Sequence, residues 1–145
     1  MILPLCGVPV FGSSGRVGNH NEPLVNGPGI VIGRKGTVGS VFWSADPFYP
    51  IDTTYYISPD DSNLFLFHAL KEMHLISTDA AVPGLNRNFA HSRQLVMPSV
   101  NILRRFLEFA DSTYAQIQLL SRQTALLCEA RDVLLPRLMR GELQP

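Results

Sequence analysis

The chain has 145 residues, which is enough for one compact domain or for a domain with an extension. Its 12 basic and 12 acidic residues give a net charge of zero, which excludes a general electrostatic attraction to nucleic acid or to an anionic membrane. There is no run of about 18 apolar residues that predicts a membrane-spanning helix, and no charged start that predicts a signal peptide. Cys6 and Cys128 have neither metal-ligand nor disulfide spacing, so we expect a reducing, cytoplasmic setting.

The charges are unevenly distributed along the chain. Residues 46–79 carry one lysine against six carboxylates, whereas basic residues prevail in residues 1–45 and 80–100. Ten of the 12 basic residues are arginine. Arginine suits bidentate contacts with phosphates and guanine edges, although it is also common in ion pairs. A local basic face is therefore compatible with the neutral total.

The first 29 residues are rich in glycine and proline, which predicts turns between very short apolar pieces. Residues 8–11 are predicted as one strand, and residues 12–18 as an exposed loop that contains Arg16. The free backbone N–H groups of such a loop suit an anion, but ordinary hairpin turns explain the glycines equally well. The spacing is not a dinucleotide-binding motif, because no long helix follows it.

A β-hairpin is predicted next, with strands at residues 29–33 and 37–43. Because glycines flank its turn, the backbone there has no bulk and can approach a phosphate closely; a solvated turn is the alternative. It is not a nucleotide-binding Walker loop, since the required lysine and serine or threonine are absent. The candidate phosphate contacts at this tip are Arg34, Lys35, Gly36 and Thr37.

A third strand region and a helix follow. Residues 49–57 have the composition of a strand, and residues 63–73 are predicted as a helix whose N-cap lies in the loop 58–62. His68 and His74 have no carboxylate or cysteine at metal spacing, so no metal site is predicted. The residues expected on the buried side of the helix are Leu64, Phe67, His68 and Leu75.

A second candidate contact loop is predicted over residues 80–89, where Pro83-Gly84 indicates a turn. Asparagine suits adenine edges, and arginine suits guanine edges or phosphates. Asparagine is also simply common in loops, because it tolerates the left-handed conformation. Residues 95–97 are predicted as a last strand. The candidate contacts in and after this loop are Asn86, Arg87, Asn88 and Arg93.

The last third of the chain is predicted as one long helix with a heptad seam, because apolar or small residues alternate steps of four and three. Such a helix is about 50 Å long at about 1.5 Å per residue. This length favours a coiled-coil arm over a long core helix, and polar residues within the seam indicate one specific partner helix. The seam consists of Leu103, Phe106, Ala110, Thr113, Ile117, Leu120, Thr124, Leu127, Arg131, Leu134 and Leu138.

Five motifs occur together and in order, namely VPVFGSSGRVG at 8–18, GPGIVIGRKGTVG at 27–39, IDTTYY at 51–56, PGLNR at 83–87 and RDVLLPRLM at 131–139. In this combination the sequence resembles the specificity (S) subunit of type I restriction-modification systems over nearly its whole length. The resemblance implies an α+β fold, with a small strand-and-loop-rich target-recognition domain followed by one long coiled-coil-type helix. The implied boundaries are residues 1–98 for the recognition domain, 99–140 for the spacer helix and 141–145 for a tail.

The resemblance also implies a function. In that family two recognition domains and two antiparallel spacer helices bind the halves of a split DNA site, and the helices dock methyltransferase subunits that methylate adenine. It therefore implies a non-catalytic subunit without cofactor or metal, whose partners are double-stranded DNA, a methyltransferase subunit and a restriction subunit. The residues we expect to face DNA are Arg16, Arg34, Lys35, Gly36, Thr37, Asn86, Arg87, Asn88 and Arg93.

The sequence departs from the family pattern in its opening segment, which is shortened, and in having one recognition domain and one spacer helix instead of two of each. A chain of this kind is expected to form a homodimer through its helix, which would rebuild the two-site arrangement. The alternative function is a structural adaptor that assembles subunits through the helix and binds no DNA of its own; the zero net charge is compatible with it.

Overall fold

The computed structural model describes residues 7–75 and 84–142. The described strands form two three-stranded sheets, with the orders β2-β1-β5 and β4-β3-β6. The chain divides into two compact units between Leu107 and Glu108. The predicted α+β class is confirmed. The elements are β1 (Val8–Gly12), β2 (Gly15–His20), β3 (Gly29–Gly33), β4 (Val41–Ser44), β5 (Tyr49–Pro50), β6 (Thr54–Ile57), a 3-10 turn (Pro59–Asp61), α1 (Leu64–Glu72), α2 (Arg87–Ser92) and α3 (Val100–Met139).

The first sheet is built on a tight hairpin. β1 pairs antiparallel with β2 from Val8 opposite His20 to Gly12 opposite Gly15, and β5 lies parallel to β1 on its other side. The predicted strand at residues 8–11 is confirmed. The predicted exposed loop over residues 12–18 is wrong, because a two-residue turn closes the hairpin at Gly15, whose φ of +106° suits glycine. Arg16 consequently lies in a strand.

The second sheet has a fully buried central strand. β3 pairs antiparallel with β4 on one side and β6 on the other, and all five of its residues are buried. Its β-branched side chains suit a strand covered on both faces. The predicted strand at residues 29–33 is therefore confirmed.

Two other predicted strands are shorter than the sequence indicates. The return strand predicted over residues 37–43 begins only at Val41, because Gly39 N–H donates to Gly33 O at 2.9 Å and folds the intervening residues into a loop. The strand predicted over residues 49–57 is interrupted, and its parts join different sheets. The interruption is a turn in which Thr54 N–H donates to Ile51 O at 3.0 Å.

A small aromatic core joins strands of both sheets. Phe11, Val25, Val31 and Phe48 form one buried cluster, against which Phe42 packs. Phe48 is fully buried and meets the Phe11 ring edge-on at a centroid distance of 5.9 Å. Each such buried side chain contributes about 1.5–3 kcal/mol to the free energy of unfolding, so this cluster supplies much of the stability of the strand region.

Helix α1 begins at Leu64, and its N-cap lies one residue after the loop 58–62 in which the cap was predicted. That loop contains the 3-10 turn at Pro59–Asp61, and Asn63 is the N-cap, whose side chain accepts from Leu66 N–H at 2.8 Å. His68 is half-buried, and its ring meets that of Phe106 in α3 at 6.2 Å. The predicted burial is confirmed for Leu64, Phe67 and Leu75.

The segment after Gly84 differs from the prediction in two ways. Residues 87–92 form the short helix α2, not a loop, because the Asn86 side chain caps it by accepting from Asn88 N–H at 2.8 Å. The strand predicted at residues 95–97 does not form, and Val96 is 88% exposed, because this stretch pairs with no strand in the described part of the chain. The predicted loop residues 80–83 lie outside the described residues.

Helix α3 confirms the predicted long helix. It has 40 residues, which corresponds to about 60 Å. Pro136 lies in its last turn, and because proline has no backbone N–H, the i→i−4 hydrogen bond to the Asp132 carbonyl is missing there. Ala110 is the buried residue of this helix.

We predict that Gly33→Ala destabilises the fold. A methyl group at Gly33 would overlap the Thr37 carbonyl oxygen and the Ser40 hydroxyl. Forcing extra volume into such a site typically lowers the free energy of unfolding by about 1–3 kcal/mol, measurable by urea denaturation. Gly18→Ala is the matched control, because no heavy atom lies within 4 Å of the added carbon. Equal effects of both substitutions would contradict the prediction.

Candidate nucleic-acid interface

Backbone hydrogen bonds join three segments that are distant in sequence, around Arg34, Thr53 and Leu85. Arg34 N–H and Lys35 N–H both donate to Thr53 O, at 2.8 and 3.1 Å. The Arg34 carbonyl accepts from Leu85 N–H at 2.9 Å, and Lys35 forms an isolated antiparallel bridge with Gly84. The tip between β3 and β4 is therefore held beside the start of α2 by main-chain contacts.

These segments line a shallow, solvent-open depression with a volume of about 560 Å³. It brings together the two clusters of candidate contacts that the sequence analysis identified separately. Its exposed cations are Arg34, Lys35 and Arg87. The lining residues are Arg34, Lys35, Gly36, Tyr55, Gly84, Leu85, Asn86 and Arg87.

Tyr55 in β6 contacts two of these cations. The guanidinium carbon of Arg34 lies over its ring at 5.3 Å from the centroid, and that of Arg87 at 5.4 Å. Both distances are within the range of a cation–π interaction. The ring is fixed by its strand, because Tyr55 pairs with the buried Ile32 of β3. One aromatic side chain thus contacts the arginines of both segments.

The charges of the depression are not neutralised within the described structure. Across residues 7–75 and 84–142, the observed ion pairs join Arg131 to Asp132, and Arg137 and Arg140 to Glu142. None of these involves a residue of the depression. The depression is consequently a local cationic surface on a chain whose net charge is zero.

The tip that carries Arg34 and Lys35 has a defined conformation. Gly36 has a φ of +79°, which L side chains rarely adopt, and its carbonyl accepts from Val38 N–H at 2.9 Å. The Ser40 hydroxyl donates to the carbonyls of Ser13 and Thr37, at 2.5 and 2.8 Å. The Ser13 carbonyl in the turn of the first hairpin therefore helps to hold the backbone of the tip.

The remaining candidate contacts lie outside the lining of the depression. Arg16 donates to the Asn19 side chain at 2.6 Å. Arg93 lies over the Phe89 ring at 5.3 Å from its centroid and donates to Met73 O at 3.5 Å. The candidate residues outside the lining are Arg16, Thr37, Asn88 and Arg93.

Three residues of the depression were not identified from the sequence. Gly84 and Leu85 lie in a predicted turn, and Tyr55 lies in a predicted strand, but their contact with Arg34 depends on long-range pairing. The local sequence predicts only that Tyr55 lies in a strand, because two threonines precede it. It does not predict that Tyr55 contacts the arginines.

The described part of the chain offers no metal site, since no group of three or more His, Cys, Asp or Glu residues there could hold an ion. Its helices also include none that is long and apolar enough to cross a membrane.

A second surface of interest is the heptad seam of α3, which is exposed over most of its length. Leu120 is 60% exposed and Leu127 is 71% exposed. The hydroxyls of Thr113 and Thr124 donate to Phe109 O and Leu120 O, both at 2.8 Å. The polar threonines therefore satisfy their donors within the helix. The exposed apolar residues of the seam are Ile117, Leu120, Leu127, Leu134 and Leu138.

Arg131 is the one charged residue of the seam. It is exposed and forms an ion pair with the neighbouring Asp132 at 2.7 Å. The hydrogen bond to this carboxylate raises the pKa of Arg131 above its ordinary value, so the side chain remains charged at any working pH. A partner helix must therefore accommodate a cation at this position.

Comparison with known proteins bears directly on the predicted resemblance. No family model matches the chain. The chain is 30% identical over 133 residues to the specificity subunit of the type I restriction enzyme HindI from Haemophilus influenzae. The match covers 86% of this chain but only 29% of that protein. The resemblance is confirmed: the chain is similar to a type I restriction specificity subunit, over a segment shorter than the whole subunit.

Proposed function

We propose that this chain is a non-catalytic DNA-recognition subunit of a type I restriction-modification system. The observation that carries the proposal is the convergence of Arg34, Lys35, Asn86 and Arg87 on one open depression. The similarity to the HindI specificity subunit supports the same class of function. Such a role is a cytoplasmic one, and its chemistry is carried by partner subunits.

Binding in this proposal rests first on phosphate contacts. Arg34, Lys35 and Arg87 donate to the DNA backbone, and the bare backbone at Gly36 and Gly84 allows close approach. Phosphate contacts fix the orientation of the duplex, whereas the sequence is read by a few contacts to base edges. Arg16, Thr37, Asn88 and Arg93 lie outside the depression and extend the contact surface in this proposal.

Asn86 can make fewer contacts with base edges than an asparagine whose side chain has no other partner. Its side-chain oxygen already accepts from Asn88 N–H. A bidentate contact with adenine requires both the oxygen and the amide group of asparagine. The cap uses one of the two lone pairs of this oxygen and fixes the orientation of the side chain, so the NH2 group is the main donor that Asn86 offers, and it suits an acceptor such as a phosphate, guanine N7 or thymine O4.

Assembly in this proposal uses the helix α3. The domain boundaries remain those of the sequence analysis, with recognition by residues 1–98 and pairing by residues 99–140. The exposed apolar seam supports pairing with a second copy, and the paired helices dock methyltransferase subunits and, through them, a restriction subunit. A single module with so few cations has a small contact area, so we expect weak binding to DNA by the chain alone.

The test is fluorescence anisotropy with a randomised pool of DNA duplexes, with and without a methyltransferase subunit, at two salt concentrations. We expect affinity that falls as salt rises, and enrichment of a split or palindromic sequence when the methyltransferase subunit is present. A well-folded chain that enriches no sequence under either condition would refute the proposal.

The second candidate function is a structural adaptor. The exposed apolar seam of α3 favours it, because pairing of helices requires no DNA. In that case the depression beside Arg34 has no nucleic-acid ligand, and oligomerisation is the whole function. Substitution of the tip cations, described in the Discussion, separates the two functions.

A further inference from the structure

We propose that Tyr55 is a positioning residue that holds Arg34 and Arg87 together as one two-armed clamp for a DNA backbone phosphate. The inference rests on the proposed function, since it assigns the ligand chemistry of the same depression. Arg34 and Arg87 come from segments distant in sequence, and Tyr55 is the side chain that contacts both guanidinium groups.

The ring keeps two like charges close to each other. Both guanidinium carbons lie within 5.4 Å of one centroid, so the two like charges are at most about 11 Å apart and repel each other. The negative face of an aromatic ring attracts a cation, and this attraction offsets part of the repulsion. Without the ring, each arginine would move away into solvent, because a long side chain gains rotamer freedom when it is released.

The ring also leaves the hydrogen-bonding edges available. A guanidinium group stacked on a ring uses its flat face for the contact, while its N–H donors point outward in the plane. Contact with the ring therefore restricts the directions in which Arg34 and Arg87 donate. A donor held in position binds its acceptor more tightly than a mobile one, because less conformational entropy is lost on binding.

Because Arg34 and Arg87 line the same depression, a phosphate suits them better as a shared ligand than a base does. A base edge offers one bidentate site to one arginine, whereas a phosphate carries a full negative charge and can accept from two guanidinium groups at once. The main-chain rim of Gly36 and Gly84 admits a sugar-phosphate strand, since neither residue carries a side chain. Lys35 in the same lining adds a third positive charge.

The experiment is a double-mutant cycle on DNA affinity. Tyr55→Leu, Tyr55→Phe and the control Tyr56→Leu are each measured by anisotropy at low salt, in the wild-type chain. Tyr55→Leu is also measured in an Arg34→Ala/Arg87→Ala background. Tyr56 is a suitable control because it lies on the same strand and is 48% exposed, yet it does not line the depression.

We expect Tyr55→Leu to weaken DNA binding about tenfold in the wild-type chain, since two cation–π contacts are lost. Tyr55→Phe keeps the ring and stays within about twofold of wild type, as does Tyr56→Leu. In the Arg34→Ala/Arg87→Ala background, Tyr55→Leu has no further effect, because Tyr55 acts through the two arginines. Equal losses in both backgrounds, or no loss in either, would overturn the inference.

A second measurement covers the case in which Tyr55→Leu fails to fold. The ring current of Tyr55 shifts the side-chain Nε–H proton resonances of Arg34 and Arg87 to high field in the wild-type chain and in Tyr55→Phe. Resonances at their ordinary positions would refute the contact directly. A wild-type chain that does not bind DNA even with a methyltransferase subunit would refute the proposed function, whereas additive losses in a chain that does bind would refute only the role of Tyr55.

Discussion

Leu120→Glu is expected to turn a dimer of this chain into a monomer at tens of micromolar. Leu120 occupies the seam of α3 and is 60% exposed in the single chain, so pairing of two helices would bury it. Glutamate is a good helix former, and the substitution therefore leaves the isolated helix intact. We therefore expect the substitution to weaken dimerisation without destabilising the helix.

The expected size of this effect is large because each dimer carries the substitution twice. Burial of one leucine contributes about 1.5–3 kcal/mol, so two leucines contribute roughly 4 kcal/mol, which corresponds to about a thousandfold in Kd. Sedimentation velocity over a range of concentrations measures the change. The burial of two carboxylates would add to the loss.

The chain offers a matched control for this experiment on the same helix. Leu119 is 57% exposed and lies next to Leu120 but outside the seam. Leu119→Glu should therefore leave the dimer intact. A wild-type chain that sediments as a strict monomer would contradict the proposed self-pairing, and dissociation by Leu119→Glu alone would assign the contact to another face of α3.

Arg34→Ala with Lys35→Ala is expected to weaken DNA binding about a hundredfold while the oligomeric state is unchanged. Both residues are exposed at the tip between β3 and β4, and their backbone N–H groups, which hold the tip, are unaffected by the substitution. If each side chain contacts one phosphate, the slope of log affinity against log salt falls by about 2. Anisotropy titrations at several salt concentrations measure both quantities.

A control that removes the same charge elsewhere makes the result specific. Lys71→Ala with Arg122→Ala also removes two positive charges, but these exposed residues lie on α1 and α3. The control should lower the DNA affinity only slightly through the net charge. An unchanged affinity in the tip variant would exclude the tip from DNA binding and favour the adaptor function.

The parts of the fold that the sequence predicts well are those with strong local signals. The heptad seam predicts α3, and the β-branched run between two glycines predicts β3. The tip cations Arg34 and Lys35 were also identified correctly as exposed, because glycine and cations in a short turn have few other arrangements. Local pattern and final structure agree wherever neighbours along the chain decide the conformation.

The parts that were missed depend on contacts between distant residues. The helix α2 has six residues and is defined by the Asn86 cap and the backbone contact of Leu85 with Arg34, neither of which has a periodic signal. The strand predicted at residues 95–97 lacks a neighbour, and a strand without a partner does not form. Tyr55 illustrates the same limit, because its two cations come from segments that only the folded chain brings together.

The way in which the depression is assembled bears on how its specificity can change. Main-chain hydrogen bonds connect the tip to two other segments, from Leu85 N–H to Arg34 O and from Arg34 and Lys35 N–H to Thr53 O. Every residue has a backbone carbonyl group, and every residue except proline has a backbone N–H group. Substitution of the exposed side chains by residues other than proline therefore keeps these hydrogen bonds. The chain therefore separates most of its scaffold from its contact surface, and a library of substitutions at positions 34, 35 and 87 can alter ligand preference while the Asn86 cap and the main-chain hydrogen bonds are kept.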